Sequence, residues 1–224
     1  MGKALFDTQA AEYELWYQTP EGRYADALEK ELFLRLMQPK FGQSLLDIGC
    51  GTGHNLAFFK ELELKVTGID VSKPMLDIAS RKLGTGVELH WGHAEELPFN
   101  SNSFDIVTLI TVLEFASDPT KVLKEAARVA RARIYLGILN KTSLLAISRR
   151  IRGRFRESIY NRARFYNIWE IEAMVKTAVG EVPLEWRSAL FFPLSWHKYL
   201  HRLDRLLLLV NNPFGAFLSV KLEL

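Results

Sequence analysis

Two periods of hydrophobic patterning alternate along this chain. Short apolar runs at Leu45-Leu46-Asp47-Ile48, Val66–Asp70, Val87–Trp91, Ser103–Ile110 and Arg133–Leu139 read as buried strands. Between them the apolar positions fall on one helical face. The first such stretch is roughly His54–Leu62. The second is capped by Ser72, has Pro74 in its first turn, and carries Met75, Ile78 and Ala79. The third runs from Asp118 or Pro119 to about Ala130. Ahead of them, Pro20-Glu21-Gly22 marks a turn. Ala25–Met37 then predicts a helix with Leu28, Leu32 and Leu36 on one side, ended by Pro39 and Gly42. Beyond Asn140 a basic segment reads as helical with turns. Tyr166–Ile171 opens a helix that ends near Gly180, and Leu184–Phe192 is a strand stopped by Pro193. Ser195–Val210 is an amphipathic helix, and Gly215–Leu222 is a last, antiparallel strand. Strands alternating with helices predict an α/β, doubly wound, mostly parallel Rossmann-like sheet with helices on both faces.

The first strand runs into Asp47-Ile48-Gly49-Cys50-Gly51-Thr52-Gly53, and the second ends at Asp70. Glycine tolerates positive φ and lets a ligand approach the backbone. Asp70 would stand at the carboxyl edge of the sheet, where open α/β sheets bind ligands and where a carboxylate can accept both hydroxyls of a ribose. The spacing is G-x-G-x-G, whereas a dinucleotide fold requires G-x-G-x-x-G. An acid at Asp47 suits a ligand with an ammonium group better than one with a pyrophosphate. S-adenosylmethionine has an amino group, a ribose and an adenine, and no phosphate.

The segments LLDIGCGTG, VTGIDVSKPMLDIA, GHAEELPF, FDIVTLITVLEF and DPTKVLKEAARV make the stretch from Ser44 to Leu139 resemble the class I S-adenosylmethionine-dependent methyltransferases. The resemblance is to the type 11 group, which includes ubiquinone and menaquinone biosynthesis enzymes. It implies seven strands with the last inserted antiparallel, and S-adenosylhomocysteine as product. It also implies that Asp47 with the backbone of Gly49 and Gly51 holds the methionine part and that Asp70 holds the ribose. Val71 and Met75 then line the adenine, Ala94 offers its backbone to the adenine edge, and Ile110 closes the pocket. With Cys50 and Gly53 in the loop, and His93 and Glu95 after the third strand, these residues form the expected cofactor site. His93 stands where the family often has Asp, so His93 or Glu95 replaces that Asp or the contact is weaker. Phe115 stands where the family often has His.

Tyr13, Trp16, Tyr17 and Arg23 before the core, with Thr111 and Asn140 at strand ends, are candidates for the acceptor side. One methyltransferase domain is expected over residues 1–224. Residues 1–40 would form a helical lid, 41–140 the cofactor core, and 141–224 the acceptor-side insertion and last strands. A methyl on a sulfonium is already activated, so alignment matters more than acid–base groups. A base is needed only if the acceptor must lose a proton. No catalytic acid or base is assigned, and neither is a metal.

Composition narrows the reading further. The chain has 224 residues, of which 48% are hydrophobic, and a net charge of +3. Its single cysteine, Cys50, excludes an internal disulfide and points to a reducing, cytoplasmic setting. A small packing residue is the plain reading of Cys50, because no base stands beside it. His197 and His201 lie four apart with no third ligand in sight. The longest aliphatic run, Leu206–Val210, is too short to span a bilayer. Between Arg149 and Arg164 there are seven arginines and one acid, Glu157. That patch leaves an RNA substrate as the lesser reading. The chain lacks an Asn/Asp-Pro-Pro-aromatic motif after Ile110, which favours a small-molecule, lipid-like or quinone-like acceptor over a nucleic acid. A non-catalytic S-adenosylmethionine-binding protein, and a homodimer, are left open.

Overall fold

The computed structural model describes residues 10–143 and 162–224, and their side chains apart from those of residues 10–13, 195 and 197. Seven strands form one sheet. They are β1 (Ser44–Ile48), β2 (Lys65–Asp70), β3 (Glu88–Trp91), β4 (Phe104–Ile110), β5 (Ala130–Leu139), β6 (Leu184–Ala189) and β7 (Phe217–Glu223). Their order is β3-β2-β1-β4-β5-β7-β6. Strands β1 to β5 pair in parallel, and β7 is antiparallel to both β5 and β6. The doubly wound sheet with an antiparallel last strand is therefore as expected. The order reverses between β1 and β4, and open α/β sheets bind ligands at the carboxyl ends of the strands at such a point.

Around the sheet lie α1 (Ala10–Gln18), α2 (Pro20–Met37), α3 (His54–Glu61), α4 (Lys73–Leu83), α5 (Pro119–Val129), α6 (Ile168–Ala178) and α7 (His197–Leu207). Alternate strand residues face opposite layers. Leu46, Ile48, Val107, Leu109, Ile134 and Leu136 pack under α5 and α6. Leu45, Ile106 and Tyr135 pack under α2, α3 and α4. A third cluster joins Ala25, Leu28 and Leu32 of α2 to Ala189, Leu190, Leu208 and Phe217.

Several boundaries differ from the sequence reading. Pro20-Glu21-Gly22 is the first turn of α2. The Thr19 hydroxyl accepts the Gly22 N–H (2.9 Å), and Pro20 takes a position whose N–H would have no helical partner. Gly22 lies so close to the Trp16 carbonyl that a Cβ there would stand 2.0 Å from its oxygen. Helix α6 begins after Tyr166, because Asn167 and Glu170 form a capping box. Tyr166 instead bridges to Asn140. Strand β6 stops at Ala189 because Leu190 turns to φ 65°. The predicted amphipathic helix begins with a 3-10 turn, Leu194–Trp196. Most of the basic segment, residues 144–161, lies outside the described residues.

Buried polar groups fasten the carboxyl edge of the sheet. Asn140 donates from Nδ2 to the carbonyls of Pro213 (2.7 Å) and Gly215 (2.6 Å), and its Oδ1 accepts from Thr142. Glu114, just after β4, accepts the Leu139 N–H at 2.6 Å. Its carbonyl accepts the Arg164 N–H. Its Oε2 is buried with no hydrogen-bond partner among the described residues. Burial pushes the Glu114 carboxyl up to about 7, with the Leu139 hydrogen bond opposing the shift. An unfolded Glu ionises at about 4.3. The folded chain therefore keeps a proton that the unfolded chain has lost, and stability falls as pH rises from that value through about 7. The thermal midpoint should drop between roughly pH 5 and pH 8, and Glu114→Gln should shrink the drop by about 2–4 °C per kcal/mol recovered. Thermal unfolding of both proteins across that range checks it. Parallel curves would contradict it.

Candidate active site

The loop after β1 is strapped to the end of β2. The N–H groups of Gly49 and Cys50 both donate to the Ile69 carbonyl (2.8 and 3.1 Å), and the Gly53 N–H donates to the Cys50 carbonyl. The Gly51 N–H donates to Asp70 Oδ2 (2.8 Å), and the Ser72 N–H donates to Asp70 Oδ1 (2.8 Å). Both Asp70 oxygens are thus aimed by backbone donors, and a carboxylate oxygen can accept more than one donor.

Glycine is required here for two reasons. Gly49 sits at φ 69°, and a Cβ on it would stand 2.6 Å from Val112 Cγ2. Gly51 sits at φ 53°, and a Cβ on it would meet nothing within 4 Å. The first glycine is fixed by packing. The second leaves space that a ligand can fill. The N–H groups of Gly49, Cys50, Gly51 and Gly53 are engaged inside the protein, which leaves fewer loop donors for a phosphate cradle, whose amides must be free.

Asp47 lies beneath this loop, 2% exposed. The Thr108 hydroxyl donates to its Oδ1 at 2.6 Å. Burial raises the Asp47 carboxyl to about 7; the Thr108 bond opposes that rise and the Asp70 charge adds to it. A cation reaching Asp47 would reverse the shift. Cys50 points away into the layer under α3, where its Sγ would lie 2.8 Å from a Cβ on Gly68. Burial holds its thiol well above the usual range. The packing role expected for Cys50 is what the side chain performs, and only its backbone belongs to the loop.

The remaining expected cofactor residues lie at or after the carboxyl ends of β2, β3 and β4. Val71 is an apolar side chain 40% exposed beside Asp70, whereas Met75 is buried in α4. Trp91 donates from its indole to the Val71 carbonyl (2.9 Å). Trp91, Gly92, His93, Glu95 and Lys121 line a cleft of about 350 Å³. Glu95 reaches the Ser117 N–H (3.3 Å) at the approach to α5. His93 is exposed on the rim. Ala94 packs against the main core, and Ile110 at the end of β4 packs against the second and third clusters.

The acceptor-side candidates divide. Thr111 directly follows β4 with φ 55°, held by its N–H to the Gly137 carbonyl (2.8 Å). A β-branched residue in the left-handed region is strained by about 1–3 kcal/mol, and such strain gathers at functional sites. Tyr17 stacks on His54, ring centroids 3.7 Å apart. Arg23 is exposed and donates to the Gln18 carbonyl. Asn140 is consumed by the loop before β7. The side chain of Tyr13, that of His197, and the arginines from Arg149 to Arg156 lie outside the described residues; His201 is exposed on α7.

Sequence reasoning missed how α1 docks. Glu14 accepts from the Thr52 hydroxyl, within the glycine loop, and from Lys82 Nζ at 2.6 Å. The Lys82 and Thr52 bonds outweigh burial and hold its carboxyl below the usual range. His54 at the start of α3 meets Asp26 of α2 at 2.8 Å. The residues are 28 to 68 apart in sequence, so no local pattern announces them. Among the described residues no group of His, Cys, Asp and Glu could hold a metal ion, and no helix is long and apolar enough to cross a membrane.

Comparison with known proteins agrees with this geometry. Residues 46–136 match the type 11 methyltransferase domain family. An uncharacterized protein of Methanocaldococcus jannaschii is 35% identical over 164 residues, 72% of this chain and 71% of that one. A demethylmenaquinone methyltransferase of Bacillus licheniformis is 41% identical over 103 residues, 44% of each chain. This chain spans about half the length of most of the curated relatives it matches. Among solved structures, an S-adenosylmethionine-dependent methyltransferase of Thermotoga maritima, described as a possible histamine N-methyltransferase, superposes with a TM-score of 0.78 at 26% identity over 98% of both chains. Magnesium protoporphyrin IX methyltransferase from Synechocystis, solved with bound S-adenosylhomocysteine, shares the fold at TM-score 0.69 and 16% identity, over 97% of this chain and 95% of that one. With the carboxylate-strapped glycine loop, the seven-stranded order and these relatives together, the chain belongs to the class I S-adenosylmethionine-dependent methyltransferases, in the type 11 group, and is an enzyme that takes S-adenosylmethionine as its cofactor.

Proposed function

We propose that this enzyme methylates an apolar, lipid-like or quinone-like small molecule. The observation that carries this reading is the third apolar cluster. It runs from Ile110 at the end of β4 to Trp16 of the N-terminal helix and on to Leu190 and Phe217, along the carboxyl edge of the sheet. Its members are packed, and an acceptor approaching past Thr111 would meet the partly buried side chains at its rim, Trp16, Tyr24, Ile110 and Leu194. The demethylmenaquinone methyltransferase relatives support the same substrate class, through the core region alone.

S-adenosylmethionine supplies a methyl group already activated on sulfur. The chain's own residues bind and align. Asp70 accepts the ribose hydroxyls, Val71 and Met75 border the adenine, and Asp47 faces the ammonium end beneath the glycine loop. Alignment of this kind is worth up to roughly 7–11 kcal/mol in well-oriented reactions. Helix α1, tied down through Glu14 and Tyr17, acts as a lid that excludes water from the methionine end.

The acceptor class is tested by following S-adenosylhomocysteine release with a hydroxylated quinone, histamine and a transcribed RNA side by side. The quinone-type acceptor should turn over fastest. Preference for histamine or RNA would overturn the reading.

Calorimetry checks the site itself. Asp70→Ala should weaken S-adenosylmethionine binding about tenfold or more, because hydrogen bonds to a charged group are lost, while NADH should not bind to either protein. Affinity should also fall as pH drops below about 7, because protonated Asp47 must release its proton to meet an ammonium group. Asp47→Asn should bind weakly and without that pH dependence. Glu14→Ala with Tyr17→Ala should lower affinity about three- to tenfold and expose the glycine loop to protease. Unchanged affinity and protease resistance would remove the lid role.

A further inference from the structure

Helix α7 carries an apolar stripe that no described residue covers. Tyr199 is 83% exposed, Leu206 61%, Val210 57%, Trp196 56% and Leu203 45%. Tyr199, Leu203 and Leu206 share one side of the helix, which turns about 100° per residue, and Trp196 and Val210 continue the same spacing just beyond its two ends. A different side faces the protein. Asp204, the only acid in His197–Leu207, is turned inward, where Tyr24 (2.9 Å) and the Phe191 N–H (2.9 Å) donate to it. Leu208 is buried beside it. The third side is cationic, with Lys198, Arg202 and Arg205 exposed. Arg205 has only a distant contact to Glu31, at 3.9 Å.

We propose that α7 docks this enzyme on an anionic membrane surface, the apolar stripe entering the headgroup boundary and the cations meeting lipid phosphates. Charge complementarity selects this occupant. An outward face with three cations and no acid, flanking exposed Trp, Tyr and Leu, has the make-up of an interfacial helix. A second copy of the chain would have to bring the same cations against themselves. Phe214, 59% exposed, adds an apolar side chain in the loop that Asn140 holds at the end of β5. A membrane-docked enzyme would meet an apolar acceptor without drawing it across water. This inference deepens the apolar-acceptor reading, but its test uses no acceptor.

The full chain is sedimented with vesicles of phosphatidylcholine, with and without one-third phosphatidylglycerol, at low and high salt. Wild type should bind the anionic vesicles and leave the neutral ones, and high salt should weaken binding. Leu203→Glu with Leu206→Glu should lower partitioning roughly tenfold. Lys198→Glu with Arg202→Glu should abolish the preference for anionic lipid. Calorimetry with S-adenosylhomocysteine shows that each variant is folded. No vesicle binding by protein that binds S-adenosylhomocysteine would overturn docking and leave the methyltransferase reading intact. So would a dimer in solution that Leu203→Glu with Leu206→Glu dissolves while vesicles are ignored.

Discussion

The site depends on one strap. Asp70 at the end of β2 accepts the Gly51 N–H, while Gly49 and Cys50 donate to the carbonyl just before it. These bonds fix the left-handed turn of the loop, close α3 onto the sheet, and aim the Asp70 carboxylate outward. A side chain at Gly49 would strike Val112, so the segment after β4 is held in register with the loop after β1. Thr111 beside it is forced to positive φ.

Much of this is written locally. A strand, a glycine turn and a helix start are contiguous between Leu45 and His54, and Asp70 ends the next apolar run. Short-range rules therefore reach both halves of the ribose site. Caps at Ser72, Asp118 and Asn167 set helix starts through bonds three residues away. The failures have physical causes as well. Pro20 signals a turn and a helix start alike, and only the Thr19 cap decides between them. Leu190 ends β6 in a conformation that its residue type gives no hint of. Glu14 on Thr52 and Tyr17 on His54 are long-range pairings, invisible to any periodicity.

Three buried carboxylates share the functional edge or its surroundings, and each is handled differently. Asp47 is held by one hydroxyl, from Thr108, beneath the glycine loop. Glu114 bonds a backbone N–H through one oxygen and leaves the other unpaired. Asp204 accepts from Tyr24 and Phe191, and its burial raises it above the usual range. The last is wholly structural. By drawing the one acid of α7 inward, it decides what charge that helix shows to the outside.

The place of β7 constrains the order in which the molecule can form. Strand β6 is synthesised first, yet the strand that separates it from β5 comes more than two dozen residues later. Until β7 slides into that slot, β5 has an open flank and β6 has no partner at all. An unpaired strand edge invites pairing with other chains, and a contact that must wait for distant sequence is slow to form. The nascent chain is therefore most exposed to aggregation in the interval between β6 and β7. The Asn140 bonds to Pro213 and Gly215 shorten that interval once made, because they deliver the start of β7 to the end of β5.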